Sequence, residues 1–417
     1  MKEPCIEITR QLKGHTDAIN CLDVQSSSST ALLLSGSEDG TARIWDIRSS
    51  QSSTATSQAC CTAQGPVTAV AWDTHDDKAY FIATETVLSW YDLRMQRSIQ
   101  IFESIDEINQ IIVASPSSNR LPLEQKQKKH HKKNKKAAAV DSKIIPTMAC
   151  ADDTGQVNMW RHHRNRRPEN SITDGSCTSL SFQQCRTLQH NADTLVLSCA
   201  LDEQDKYLVT GTSDCCVRIW SWTTGQLLSQ SSVTAVQQEQ SQLCNPPMIH
   251  SLTWMPSFPC FVAGCGDGSL AIGNTQGVWL SRVDMAHGAA IAACCPFAAK
   301  EWGCLASTGN DGRIVLWDMQ SLLWSFKSNA RNDDRKPSTS CREWLFGSDP
   351  NSSIKHEQEI STLNDAMESW SLQQEPQTLL AWDHGKKPND MVHASETALL
   401  LADISPDITM YTIRPGS

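Results

Sequence analysis

Three segments of the 417-residue chain carry a His, a hydroxyl residue and an Asp at fixed offsets: His15, Ser35 and Asp39; His190, Thr210 and Asp214; His287, Ser307 and Asp311. Those residue types are the inventory of a hydrolase: a nucleophilic hydroxyl, a general base and a carboxylate to orient it. The spacing points elsewhere. In every set His precedes Asp by 24 positions, the hydroxyl lies 4 before Asp, and a Trp follows Asp by 6, at Trp45, Trp220 and Trp317. One active site needs no second and third copy. The closing Trp suits a hydrogen-bond chain in which the indole N–H donates to the hydroxyl, the hydroxyl to His, and His to the Asp carboxylate. The chain also holds no G-x-S-x-G elbow, P-loop or H-E-x-x-H motif. No catalytic residue, cofactor or enzymatic activity is expected.

Metal chemistry has equally thin support. Among 17 cysteines, neighbours occur at Cys60-Cys61, Cys215-Cys216 and Cys294-Cys295, but no pair has the two-residue gap that points two thiolates at one zinc ion. They read as small buried apolar residues. His130-His131 and His162-His163 could hold an ion, yet both pairs lie amid Lys and Arg, which oppose a cation. No metal site is expected.

The elements that must position the repeated residues are short alternating stretches such as Ala18-Ile19-Asn20-Cys21-Leu22, Ala31-Leu32-Leu33-Leu34 and Ala42-Arg43-Ile44-Trp45, punctuated by turns such as Glu38-Asp39-Gly40. These are strands joined by tight turns. Fourteen Trp against 8 Phe and 4 Tyr fit a periodic placement of Trp. The pattern resembles the WD-repeat β-propeller family, whose units carry Gly-His near the start and Trp-Asp at the end: Gly14-His15 with Trp45-Asp46, and His287-Gly288, reversed, with Trp317-Asp318. Weaker copies end at Tyr91-Asp92, Trp160, Gly273-Asn274 and Tyr411. The resemblance implies one all-β, seven-bladed propeller with flexible loop insertions, in which the tetrads of His, Ser/Thr, Asp and Trp staple three blades.

The units are expected over about 13–55, 62–100, 101–165, 186–230, 245–282, 283–327 and 378–414. By resemblance, the apolar-alternating segment 5–12 supplies the last unit's missing outer strand, so that closure leaves no bare sheet edge. Trp-slot residues at 45, 91, 160, 220, 273, 317 and 411 are separated by 46, 69, 60, 53, 44 and 94 positions. Units of about 40–45 residues then require insertions, placed at 115–143, 161–185, 226–247 and 320–377. The last is rich in Ser, Asn and Asp and reads as a flexible excursion with room for a short helix near Met367-Glu368-Ser369-Trp370.

Charge is segregated. The net charge is −10, but the first insertion holds Lys126, Lys128, Lys129, Lys132, Lys133, Lys135 and Lys136, and the second opens with Arg161, Arg164, Arg166 and Arg167. Those eleven positive charges leave −21 on the rest of the chain. Three readings stay open for the basic runs: a nuclear import signal centred on Lys128, Lys129, Lys132, Lys133, Lys135 and Lys136, a phosphate-binding contact with nucleic acid, or a solvated loop. No aromatic residue interleaves with the Lys run, so base stacking has no support.

No apolar run approaches the roughly 20 residues of a membrane-spanning helix. The start, Met1-Lys2-Glu3-Pro4-Cys5, lacks the apolar core of a signal peptide, so a nuclear or cytoplasmic, non-secreted protein with reduced cysteines is expected.

What remains is binding of protein partners. Two unit endings, Ala42-Arg43-Ile44-Trp45-Asp46-Ile47-Arg48 and Ser89-Trp90-Tyr91-Asp92-Leu93-Arg94, place an Arg two positions after the Asp. They resemble the W-D-x-R box of cullin-4 ubiquitin ligase substrate receptors. That resemblance implies that Asp46, Arg48, Asp92 and Arg94 contact the adaptor, damage-specific DNA-binding protein 1, while another surface takes an unknown substrate. The second copy departs from the box, with Tyr91 for Trp and Ser89 at a position expected to be apolar. The alternative is a nuclear chromatin or ribonucleoprotein scaffold with no ligase role.

Overall fold

In a computed structural model the described residues are 5–25, 31–48, 58–62, 65–94, 97–115, 145–164, 180–236, 245–256, 258–299, 302–319, 376–395 and 398–414. They build seven four-stranded antiparallel sheets. After β1 (Cys5–Lys13), the first sheet is β2 (Ile19–Val24), β3 (Leu32–Ser37), β4 (Thr41–Asp46) and β5 (Gln58–Thr62). The second is β6 (Val67–Trp72), β7 (Ala79–Thr84), β8 (Val87–Asp92) and β9 (Ser98–Glu103). The third is β10 (Ile108–Val113), β11 (Met148–Asp152), β12 (Gln156–Arg164) and β13 (Leu180–Gln189).

The fourth sheet is β14 (Val196–Leu201), β15 (Tyr207–Thr212), β16 (Cys216–Ser221) and β17 (Leu227–Ser232). The fifth is β18 (Ile249–Trp254), β19 (Cys260–Cys265), β20 (Leu270–Asn274) and β21 (Trp279–Val283). The sixth is β22 (Ile291–Ala299), β23 (Trp302–Gly309), β24 (Arg313–Asp318) and β25 (Gln377–Asp383). The seventh is β26 (Pro388–Ser395), β27 (Ala398–Asp403) and β28 (Asp407–Arg414), completed on its outer edge by β1.

Contacts between successive first strands, from β2 to β6 and round to β26 and back to β2, close a seven-bladed propeller. The apolar residues sort into seven buried clusters, one at each junction between neighbouring blades. At the ring's closure, Leu12 of β1 packs with Ile408, Leu400, Ile19, Leu33 and Trp45. Close approach between blades depends on glycine: a Cβ on Gly36, Gly211 or Gly264 would lie within 2.5 Å of Val67, Ile249 or Ile291, the β-branched residue that opens the next blade's inner strand.

Several sequence boundaries are corrected. Residues 161–164, read as insertion, continue β12, because Arg161, His162, His163 and Arg164 pair with Gln183, Phe182, Ser181 and Leu180. Within 226–247 lies β17, the fourth blade's outer strand. Residues 378–383, read as the start of the seventh unit, belong to β25, whose ladder runs against β24 and so lies in the sixth blade. Sequence periodicity marks a strand's existence, and only its ladder assigns it to a sheet. No helix among the described residues is long and apolar enough to cross a membrane. Residues 116–144, 165–179 and 320–375, with the Lys128–Lys136 run and the proposed short helix, lie outside the described residues.

Candidate functional site

Antiparallel alternation puts the links from first to second strand and from third to fourth on one face of the ring, and the second-to-third turns on the other. The two Asp-x-Arg endings close third strands, β4 and β8, in neighbouring blades, so both belong to the first face. Each forms the same small turn. The Arg48 N–H donates to Asp46 Oδ1 at 2.9 Å, and the Arg94 N–H to Asp92 Oδ1 at 2.8 Å.

The side chains differ. Asp46 and Arg48 are both exposed, whereas Asp92 is buried and is gripped by the Arg94 guanidinium, Nε lying 2.8 and 3.1 Å from the two carboxylate oxygens and Nη2 closing the fork. Hydrogen bonds from Arg94 hold the Asp92 carboxyl below the ordinary carboxylate range. Arg94 nonetheless stays 60% exposed, leaving part of its donor fork on the surface.

The second-to-third turns of the opposite face carry the staples. In blade one, Trp45 Nε1 donates to Ser35 Oγ at 2.8 Å, His15 Nε2 meets Ser35 Oγ at 2.8 Å, and His15 Nδ1 meets Asp39 Oδ2 at 3.0 Å. Blade six repeats this with Trp317, Ser307, His287 and Asp311, at 2.8, 2.8 and 3.2 Å. Burial lowers the pKa of both imidazoles, keeping them neutral, so Nδ1–H donates to the carboxylate and Nε2 accepts from the hydroxyl. No catalytic geometry is needed to account for these residues.

Blade four departs from the expected chain. Trp220, Thr210 and His190 are linked, but His190 Nδ1 meets the Gly155 carbonyl at 2.8 Å instead of Asp214. Asp214 has another partner: the buried Arg218 donates to it from Nη2 at 2.6 Å. A buried guanidinium requires a carboxylate, and as a charged donor it outcompetes a neutral imidazole for the same oxygens. Blade seven holds a staple that spacing alone did not reveal. His384 meets the Tyr411 hydroxyl at 2.5 Å and Asp403 Oδ2 at 2.7 Å, so one phenol supplies both the ring and the hydroxyl that Trp and Ser supply elsewhere.

Comparison with known proteins matches the geometry. The family model "WD domain, G-beta repeat" fits residues 6–46 and 182–221, each running from a blade's outer strand to the third strand of the next. The chain is similar to the WD-repeat family. A WD repeat-containing protein 53 homolog from Dictyostelium discoideum is 22% identical over 366 residues, spanning 81% of this chain and 85% of that protein. Two further similarities are confined to about one repeat. Ribosome biogenesis protein YTM1 of Coccidioides immitis is 56% identical over 43 residues, 10% of this chain and 9% of its own. The human THO complex subunit 6 is 49% identical over 43 residues, 10% of this chain and 12% of its own.

The ring is also tied around its central channel, of about 500 Å³, by side chains that reach the next blade's backbone. Asn20 and Asn109 donate to the Val67 and Val196 carbonyls, and Asn389 donates to that of Ile19. Asp23 Oδ2 accepts from the Trp72 N–H at 2.6 Å, and Asp390 Oδ2 from the Leu22 N–H at 2.7 Å. Burial pushes these two acids up to about 7 and about 6. Sequence reading missed this ring because its members lie on different blades, which only the closed ring brings together.

Eleven cysteines, Cys21 to Cys304, are free among those whose side chains are described, and most are buried. Burial pushes the thiols of Cys260 and Cys265 up to about 12, which keeps them protonated and unreactive.

Proposed function

We propose that this protein is a non-catalytic scaffold that presents a substrate to a cullin-4 ubiquitin ligase, docking to the adaptor damage-specific DNA-binding protein 1 through Arg48 and Arg94. The carrying observation is the same Asp-x-Arg turn made twice, in adjacent blades and on one face, by Asp46 with Arg48 and by Asp92 with Arg94. Arg suits such a contact because its planar fork makes several hydrogen bonds at once. Similarity to the WD-repeat family supports protein binding in general, and the paired turns support this partner in particular. The opposite face, with its second-to-third turns, is left for the substrate. Capture of the purified adaptor by the wild type, and its loss in the Arg48→Ala, Arg94→Ala variant with an unchanged melting curve, is the expected result. A variant that binds as well as the wild type would overturn the proposal.

A further inference from the structure

We infer that Asp73, His75 and His162 form a binding site for one divalent transition-metal ion of the zinc type, clasping blade two to blade three. Asp73 and His75 lie on the loop after β6, and His162 lies near the end of β12. Their three donor atoms all fall within 4.8 Å of one another. The Asp73 side chain is fully buried, its Oδ2 receives no hydrogen bond, and His162 Nε2 stands 3.9 Å from it. His75 Nδ1 is 3.6 Å from Asp73 Oδ1, also beyond hydrogen-bond reach. Asp73 Oδ1 accepts the His75 backbone N–H and His75 Nδ1 meets Thr74 Oγ1 at 3.2 Å, but a buried Oδ2 with no donor is costly without a cation.

The donor chemistry selects the ion. Two imidazoles and one carboxylate make a three-ligand set with an open fourth position, suited to zinc in tetrahedral coordination. Bonds of about 2.0–2.1 Å would bring donor atoms to about 3.3 Å apart, so donor atoms now within 4.8 Å of one another need to close by up to about 1.5 Å. The His162 ring is already held, 4.1 Å from Phe182 and edge-on to Trp90 at 6.1 Å. Alternation along β12 turns Arg161 to the other side of the strand from His162, and Arg161 donates to Gln183 Oε1 there.

The site lies where the staples do not. Neither blade two nor blade three carries the tetrad, and an ion here would join them through their side chains. The same loop presents Asp76 and Asp77, whose charges act on Arg94, so the clasp would fix one flank of the Asp-x-Arg face. The metal site stands on its own geometry and does not require that the adaptor binds.

The test uses the full-length protein, stripped with a chelator and titrated with Zn²⁺ against a chromogenic competitor, and separately with Co²⁺. Cysteines could take up either ion, so Asp73→Asn, His162→Gln and His75→Ala are run in parallel, with metal-free melting curves for each. The wild type should bind one equivalent more than each variant, with affinity there weakened beyond the 10- to 100-fold typical of outer-shell losses. Its Co²⁺ spectrum should show visible tetrahedral bands without the near-ultraviolet thiolate band, and Zn²⁺ should raise the melting temperature of the wild type only. His75→Ala guards against a folding defect, because that ring is 15% exposed. Equal uptake by wild type and variants, or no saturable uptake by the wild type, would overturn the inference.

Discussion

Blades one and two reach the same surface from different interiors. In blade one the third strand is pinned by the buried chain from Trp45 through Ser35 and His15 to Asp39, in which burial pushes Asp39 up but hydrogen bonds from Thr41 and Thr16 hold it well below the ordinary range. In blade two Tyr91 takes the Trp slot and Ile82 the hydroxyl slot, and Tyr91 stacks on Tyr80 at 5.4 Å and 8° while Tyr80 meets Trp72 edge-on. Polar stapling and aromatic packing thus solve one structural problem. What the two blades share is the Asp-x-Arg ending, whose arginines reach the surface in both. A motif kept across two different ways of holding the strand is best explained by what it presents outward.

The largest effect should come from removing the strand that backs this pair. Deleting residues 1–12 exposes the β28 edge and the cluster around Leu12 and Trp45, and should abolish the single cooperative melt. A truncated chain that melts like the full one would contradict ring closure through β1. Next, Trp45→Ala should cost about 3–5 kcal/mol in denaturant unfolding, because it opens a cavity and strands two polar groups. Tyr91→Ala should cost less, its ring being half-buried; an equal cost would erase the contrast between the blades.

Ser35→Ala isolates the polar part. It leaves His15 Nε2 and Trp45 Nε1 unpaired, for about 1–3 kcal/mol, whereas blade two has no hydroxyl there to lose.

The junction between the two blades predicts a pH effect. Asp23 of blade one titrates near 3.8 when unfolded and about 7 when buried against Trp72. Between those values the folded chain keeps a proton that the unfolded chain has released, so stability from this group is full below about pH 4 and lost as pH rises through 7. Asp23→Asn removes the titration. Its melting temperature relative to wild type should therefore climb from pH 5 to pH 8; a constant difference would show that Asp23 stays ionised. Smallest of all, Arg48→Ala should change stability by no more than about 0.5 kcal/mol, as expected of an exposed residue. A large loss would make that ending structural and remove the argument from shared surface.

What could be read in the sequence follows from how each feature is encoded. The tetrads of blades one and six are legible because a hydrogen-bond chain demands particular residue types at fixed offsets, so His, Ser, Asp and Trp recur together. The seven-unit architecture follows from those markers and the strand alternation between them. Blade four shows the limit: the spacing is kept, yet Arg218 takes Asp214 from His190, an exchange decided by burial that spacing cannot report. Blade seven hides its staple because Tyr411 does the work of two residues. The channel ring and the Asp73, His75 and His162 cluster were illegible for a third reason. Their members come from different blades, and only the closed ring brings them together.

The central claim is that function resides on the face where β4 and β8 end. Hydrogen–deuterium exchange of the full-length protein, alone and with the purified adaptor, tests it most directly. Slowed exchange is predicted at 46–48, 73–78 and 92–94, with the turns at 38–40, 213–215 and 310–312 unchanged. No complex, or protection confined to those opposite turns, would contradict the account.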